Sequence, residues 1–343
     1  MKTLLNTLFV QSQGAYLRLD HETLRVELEG KLRLQVPLHH LGAIVVFGDC
    51  LLSPGLMGRC AADGRAVTWL SFTGRFLARL EGPASGNVLL RRAQHNFLDN
   101  APRTLDLARL LVAGKVKNQR TSVLRSARES KHETDRQALE ETARVLADVL
   151  GHLAVAADLD TVRGLEGEAA HAYFSTFNRM ILAEREGLAM SGRTRRPPLD
   201  PVNALLSFLY ALLLSDCLAA LQGVGLDPQV GYLHALRPGR PALGLDLMEE
   251  MRPVLADRLT LTLINRRQVT LSDFDKRPGG AVLLNEAGRK KVVVAYQERK
   301  KEEVYHHGIQ QQAPLGLIPH IQARLLARNL REELAAYPPY LHR

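Results

Sequence analysis

At 343 residues and 46% hydrophobic composition, the chain can bury a substantial core without staples, and its length fits about two domains. Its three cysteines, Cys50, Cys60 and Cys217, contain no CxxC pair and are odd in number, which argues against structural zinc and fits reduced thiols in a cytoplasmic protein. A net charge of +9 and a pI near 9.6 favour an acidic partner, most commonly nucleic acid.

The opening MKTLLNTLFVQSQ is interrupted by Asn6 and Thr7 and lacks a small-residue cleavage site, so it is expected to be a first strand and not a signal peptide. Up to about Gly82 the pattern is short and alternating: LFVQSQ, AYLRLD, TLRVELEG, KLRLQVPL, AIVVFG, VTWLSF and FLARLEG, separated by Gly, Asp-His and Pro signals. One short helix is expected around Pro54 to Ala62. The spacing predicts a mostly antiparallel sandwich of two small sheets over residues 1–86, with His39 and His40 solvated at a strand exit.

After Asn87 the period changes to 3.6 residues and holds nearly to the end, predicting a larger all-α domain over 87–343 and an α+β chain overall. KVKNQRTSVLRSARESK carries Lys115, Lys117, Arg120, Arg125, Arg128 and Lys131, with acids almost absent before Glu129. So one-sided a run is what a phosphate-binding surface needs, although many such runs are only solvated faces.

In GLEGEAAHAYF, a helical wheel gathers Leu165, Ala169, Ala170, Ala172, Tyr173, Phe177 and Met180 on one apolar arc, with Glu166 near its middle. Glu168 and His171 fall on the opposite side with Asn178 and Arg179. Carboxylates are seldom buried without a partner, so Glu166 requires a basic residue, a metal or a proton; an ion pair and a functional site both satisfy that need. SGRTRRPP then places Arg193, Arg195 and Arg196 on a loop, as a mobile phosphate clamp or a plain linker. The longest apolar run, Ala204 to Leu214, is too short to span a bilayer and continues into Ser215 and Asp216; it reads as a buried helix, and no membrane partner is expected.

GYLHALRPGR sets His234 at the end of a short apolar strand, followed by a turn with Arg237 and Arg240. On the next helix Asp246 and Glu249 lie three residues apart on one face, opposite Leu247, Met248, Met251, Val254 and Leu255, while Glu250 and Asp257 extend the acidic stripe. Taken alone such a stripe faces solvent. Together with Glu166 and His234 it makes an oxygen and nitrogen ligand set suited to Mg²⁺ or Mn²⁺, which can polarise a phosphoryl oxygen and stabilise a leaving 3′-oxygen. No P-loop is present, so ATP is not implied.

GLEGEAAHAYF, DPVNALLSFLYALL, GYLH and LDLMEEMRPVLADR, in that order after a β-rich N-terminus, resemble the CRISPR-associated integrase, the catalytic subunit of spacer acquisition. LLNTLFV, GRFLARLEG, GNVLLRRAQ and GKVKNQR resemble the same family, particularly its type I-C branch. The resemblance implies metal ligands at Glu166, His234 and Glu249. Some relatives have Asp at the last position, which leaves Asp246 as either a further ligand or an orienting group. It also implies a β domain that makes a homodimer, a small ferredoxin-like partner whose dimer bridges two such dimers, DNA fragments and a repeat as substrates, and an iron–sulfur nuclease that trims the fragments. Two other readings stay open. One is a general metal-dependent nuclease for branched or single-stranded DNA; the other is a non-catalytic nucleic-acid scaffold in which Glu166 only pairs with an arginine.

Overall fold

Alternation of apolar and polar residues sets the first half of the architecture. The computed structural model describes residues 5–82, 88–183, 187–194 and 196–342, and the chain divides into two units, Met1–Gly86 and Asn87–Arg343. In the first, β1 (Asn6–Val10), β5 (Leu41–Phe47), β7 (Ala66–Leu70) and β8 (Phe76–Arg79) form one four-stranded sheet in that order. The second sheet runs β4 (Lys31–Pro37), β3 (Thr23–Leu28), β2 (Ala15–Asp20), β6 (Cys50–Leu52). Leu17, Leu24 and Val26 of the second sheet share a core with Ile44, Val46 and Val67 of the first and with Leu56 and Cys60 of α1 (Pro54–Ala62). The α1 start is set by Ser53, whose hydroxyl accepts from the Leu56 N–H, with proline in the first turn. At the β3–β4 hairpin, Glu29 and Gly30 both have positive φ (53° and 73°), the conformation a tight two-residue turn requires.

The expected antiparallel bias is corrected: among the described residues of this first unit, three of the six strand pairings are parallel. β5 is a nearly continuous apolar run, LGAIVVF, and takes parallel neighbours on both sides, as suits a strand covered on both faces. Periodicity reports which face is buried and says nothing of the partner's direction. β6, only three residues long, falls below what alternation detects. His39 and His40 are exposed just past β4, as expected.

The second unit is built from α2 (Val88–Leu98), α3 (Ala101–Glu129), α4 (Glu133–Val155), α5 (Leu159–Ser175), α6 (Pro201–Val224), α7 (Ala242–Met248), α8 (Arg258–Asn265), α9 (Glu286–Lys301) and α10 (Ile318–Leu330). Two short hairpins, β9 with β10 (Phe274–Lys276, Val282–Leu284) and β11 with β12 (Glu303–His306, Gln311–Pro314), interrupt the helices, so the unit is mainly and not wholly α. Side-chain caps from Asn100, Asp158, Asp200 and Asn285 start α3, α5, α6 and α9. α3 packs along α4 and α5; α6 packs against α7 and α10. At 24 residues α6 outruns the apolar run that predicts it, and by length and composition it is apolar enough to cross a membrane; most of that stretch is buried inside this unit. The three cysteines are free and buried.

Candidate active site

α5 carries Glu166 two turns beyond its Asp158 cap. Its carboxylate is not enclosed: the side chain is 30% exposed, and it opens on a pocket of about 310 Å³ that His234, Arg163, Arg237 and Arg240 also line. Ala169 and Tyr173 bury the face expected, while Glu168 and His171 are exposed. The helix ends at Ser175. Phe177 and Met180 stay buried on a 3₁₀ turn, and Asn178 and Arg179 are bonded to Met190 and Asp135 instead of standing free in solvent.

His234 lies on an irregular loop and not at a strand end. Three successive backbone N–H groups, of Tyr232, Leu233 and His234, donate to the Asp246 carboxylate at 2.6, 3.0 and 2.9 Å, and His234 Nδ1 lies 2.7 Å from the same group. Gly231 makes the close approach possible: a Cβ there would stand 2.7 Å from the Ala242 backbone and 2.9 Å from Asp246 Oδ2. Fully buried and accepting four bonds, Asp246 has no lone pair left for a metal. It orients the imidazole, placing the proton on Nδ1 and leaving the Nε2 lone pair free, 3.8 Å from Glu249 Oε1. From α2, the buried Gln94 side chain donates to Asp227 O and Val230 O and accepts from Asp227 N–H, while Tyr232 Oη donates to the Gln94 carbonyl. The loop bearing His234 therefore hangs between α2 and α7.

The expected single helix with a solvated acidic stripe is corrected on both counts. α7 stops at Met248, Glu249 to Met251 form a turn, and Arg252–Asp257 is π-helical before α8 begins. Pro253 has no N–H to give Glu249 O, so the regular ladder breaks there. Asp246, Glu249, Glu250 and Asp257 are all at most 2% exposed. Each is neutralised or bonded inside the protein. Burial works against the Glu249 charge, yet the Arg252 guanidinium and the Lys115 ammonium outweigh it and hold the carboxyl well below the usual carboxylate range. Lys115 Nζ is 2.7 Å and Arg252 Nη2 3.2 Å from it. Glu250 turns the other way and accepts from Tyr337 Oη, the Tyr340 N–H and, at 3.0 Å, Gln322 Nε2; burial pushes it up to about 8. Asp257 accepts from Tyr210 Oη at 2.6 Å, and burial raises it to about 6 against the pull of that bond and of Arg193, Arg252 and Lys115.

Lys115 is the largest correction among the basic residues. Its side chain is 5% exposed and its ammonium is ion-paired with both Glu166 and Glu249, so it belongs to the site and not to a phosphate-facing surface. Glu166, Glu249 and the imidazole nitrogen form the donor set expected for Mg²⁺ or Mn²⁺, and the buried Glu249 Oε2 has the Lys115 ammonium as its ion-pair partner, 2.7 Å away. The donor chemistry fits a divalent ion. As placed, however, the carboxylates close on an ammonium, and among the described residues no group of three or more His, Cys, Asp or Glu side chains is gathered tightly enough to hold a metal.

Residues 8–298 match the family described as CRISPR associated protein Cas1. The chain belongs to the Cas1 family. It is 56% identical, over 100% of both chains, to the CRISPR-associated endonuclease Cas1 1 of Moorella thermoacetica. It is 36% identical to a CRISPR-associated exonuclease Cas4/endonuclease Cas1 fusion of Geobacter sulfurreducens, over 98% of this chain and 60% of that one. Two solved structures share the fold. A casposase bound to integration product matches with a TM-score of 0.84 and 21% identity over 97% of this chain and 93% of that chain. A Cas6-RT-Cas1–Cas2 complex matches with a TM-score of 0.82 and 26% identity over 100% of this chain and 36% of that chain.

On this Cas1 fold the remaining basic residues separate into two groups. Lys117, Arg125 and Arg128 are exposed along α3, with Arg125 paired to Glu129 at 2.7 Å, while Arg120 leans on α4 through a bond from Nε to Ala143 O. Arg237, exposed, and Arg240, half-buried, line the pocket beside Glu166. Arg193 is no mobile clamp: it donates to Asn203 Oδ1 at 2.6 Å and stacks 5.4 Å over the Tyr210 ring. Arg196 is exposed, and Arg195 lies outside the described residues. Sequence reasoning missed Arg163, Arg252 and Gln94. Arg163 stands three residues before Glu166, one turn away, and Gln94 sits on the apolar face of α2 with Leu90 and Phe97, the same anomaly that exposed Glu166.

Proposed function

We propose that this chain joins short DNA fragments into a CRISPR repeat array, the 3′-hydroxyl of a fragment attacking a phosphodiester at the repeat boundary. One observation carries the reading: a carboxylate and an imidazole with a free nitrogen face a single pocket rimmed by Arg163, Arg237 and Arg240, above a buried second carboxylate. Glu166, His234 and Glu249 would hold Mg²⁺ or Mn²⁺. When bound, such an ion supplies positive charge at the attacked phosphoryl group and at the leaving oxygen. The arginines draw the scissile phosphate in and fix it for in-line attack. Asp246 keeps His234 in the tautomer that leaves Nε2 unprotonated. The attacking oxygen forms its bond to phosphorus as the bond to the repeat's 3′-oxygen breaks; the hydroxyl proton departs and the leaving oxygen gains one.

The exposed basic face of α3 gives a path for DNA backbone, and Lys117→Ala should reduce the salt slope of fragment binding by about one unit. Exposed Leu32 and Leu34 on β4 support a homodimer through the β unit. The Cas1–Cas2 neighbour supports a partner protein, which we take to be small and ferredoxin-like and to bridge two dimers; the fusion relative, named an exonuclease and endonuclease in one chain, supports an accessory nuclease, which we take to trim the fragments and to be of the iron–sulfur type found in the type I-C branch.

One assay tests the reading. The protein and its small partner are incubated with a repeat-containing supercoiled plasmid, labelled 3′-OH fragments and Mn²⁺. Covalent joining that disappears in Glu166→Ala and His234→Ala is expected. Cleavage without joining would instead favour the general nuclease, with water as nucleophile, and full activity in Glu166→Ala would sink both.

A further inference from the structure

Lys115 is paired with the two carboxylates to which the preceding reading gives the metal. An ammonium and a divalent ion cannot share that gap, because their repulsion at contact distance is many times the thermal energy in a buried setting. Helix α3 cannot carry the lysine away. A Cβ at Gly114 would lie 2.9 Å from Pro339 Cβ and 3.3 Å from Glu250 Cβ, so the helix is pressed against both, and Asn118 ties the next turn to Glu250 O and Tyr340 O. The side chain itself has to move. One turn further along the same face, Gln119 is 1% exposed and its Oε1 is buried with no hydrogen-bond partner. An unsatisfied buried carbonyl is a destabilising feature that an ammonium four residues away can remove.

We propose that Lys115 is a displaceable counter-cation: it neutralises Glu166 and Glu249 in the metal-free protein and swings to Gln119 Oε1 when Mg²⁺ or Mn²⁺ enters. The inference rests on the reading of Glu166 and Glu249 as metal ligands. It makes Lys115 a positioning residue that keeps two acidic side chains in place before the ion arrives, and it makes metal uptake an exchange of one cation for another.

The test uses the full chain, Mn²⁺ alone, calorimetric titration and melting with and without the ion. Lys115→Met keeps the volume and removes the charge. It is expected to lower the metal-free Tm by several degrees, because the buried Glu249 carboxylate loses a partner, and to tighten Mn²⁺ binding roughly tenfold or more, because no ammonium competes. Gln119→Met is expected to do the opposite: the metal-free Tm holds or rises as the unpaired carbonyl disappears, and Mn²⁺ binds several-fold more weakly. A structural lysine would lower stability and metal affinity together. That outcome, or unchanged Mn²⁺ affinity in Gln119→Met, overturns the proposal, and the second variant decides the matter if the first fails to fold. Glu166→Gln separates the two readings: loss of Mn²⁺ binding there upholds the metal site whatever Lys115 does, whereas a wild-type protein that binds no Mn²⁺ overturns both.

Discussion

Glu249 and Glu250 are neighbours in sequence and equally buried, yet they live in opposite chemistries. Glu249 faces Lys115, Arg252 and His234, and its carboxyl is held ionised far into acid. Glu250 faces Tyr337, Gln322 and the Tyr340 N–H, all uncharged, and burial raises it to about 8. Depth alone therefore does not decide the state of a carboxylate. The charge of what it meets does, and the break in the helix after Met248 is what lets adjacent residues meet different surroundings.

The comparison breaks most visibly at the charged side. Glu249→Gln should reduce fragment joining by roughly 10³-fold or more, the size of several kcal/mol of lost charge stabilisation, and gel-resolved joining assays would measure it. Asp246→Asn comes next: an amide cannot accept all four bonds, the imidazole loses its fixed tautomer, and Mn²⁺ affinity by calorimetry should fall about 10- to 100-fold. Asp257 supplies a pH signature. Its folded value near 6 lies above the ordinary 3.8, so its contribution to stability is full below about 4 and is lost as pH rises through about 6. Asp257→Asn keeps an acceptor for Tyr210 and should gain stability relative to wild type across that window, by at most about 3 kcal/mol, then level off above it; melting from pH 4 to 7 reads this directly. The smallest effect belongs to the uncharged side. Glu250→Gln replaces an already protonated carboxyl with an amide of the same shape and should shift the Tm at pH 6 by no more than about 1 kcal/mol of stability, against a much larger loss for Glu249→Gln.

Much of this was legible in the amino-acid order. Alternation marks seven of the strands because a core lies against one face of each sheet, an interruption of it marks α1, and Glu166 stands out because a helical wheel has no place for a charge among alanines and aromatics. His234 and Glu249 followed from their company. What escaped was information that a local pattern does not hold. Parallel pairing of β1, β5 and β7 depends on which strand arrives beside which. Lys115 belongs by sequence to a basic run, although Val112, Val116 and Gln119 around it mark the buried side of α3. Pro253 was the visible sign of the helix break, and the burial of the acidic stripe could only be seen once the aromatic C-terminal segment had folded over Glu250.

The loop of His234, slung between Gln94 and Asp246, also sets a timetable. During synthesis from the N-terminus, α3 and α5 are complete long before Asp246 leaves the ribosome, so Lys115 and Glu166 are the first members of the site that can meet. The imidazole has no fixed orientation until α7 is made, and Glu249 follows within one turn. A growing chain thus carries one salt-bridged pair where the finished protein has two carboxylates set against Lys115 and Arg252, and the site is completed only by the residues of α7 and the turn after it.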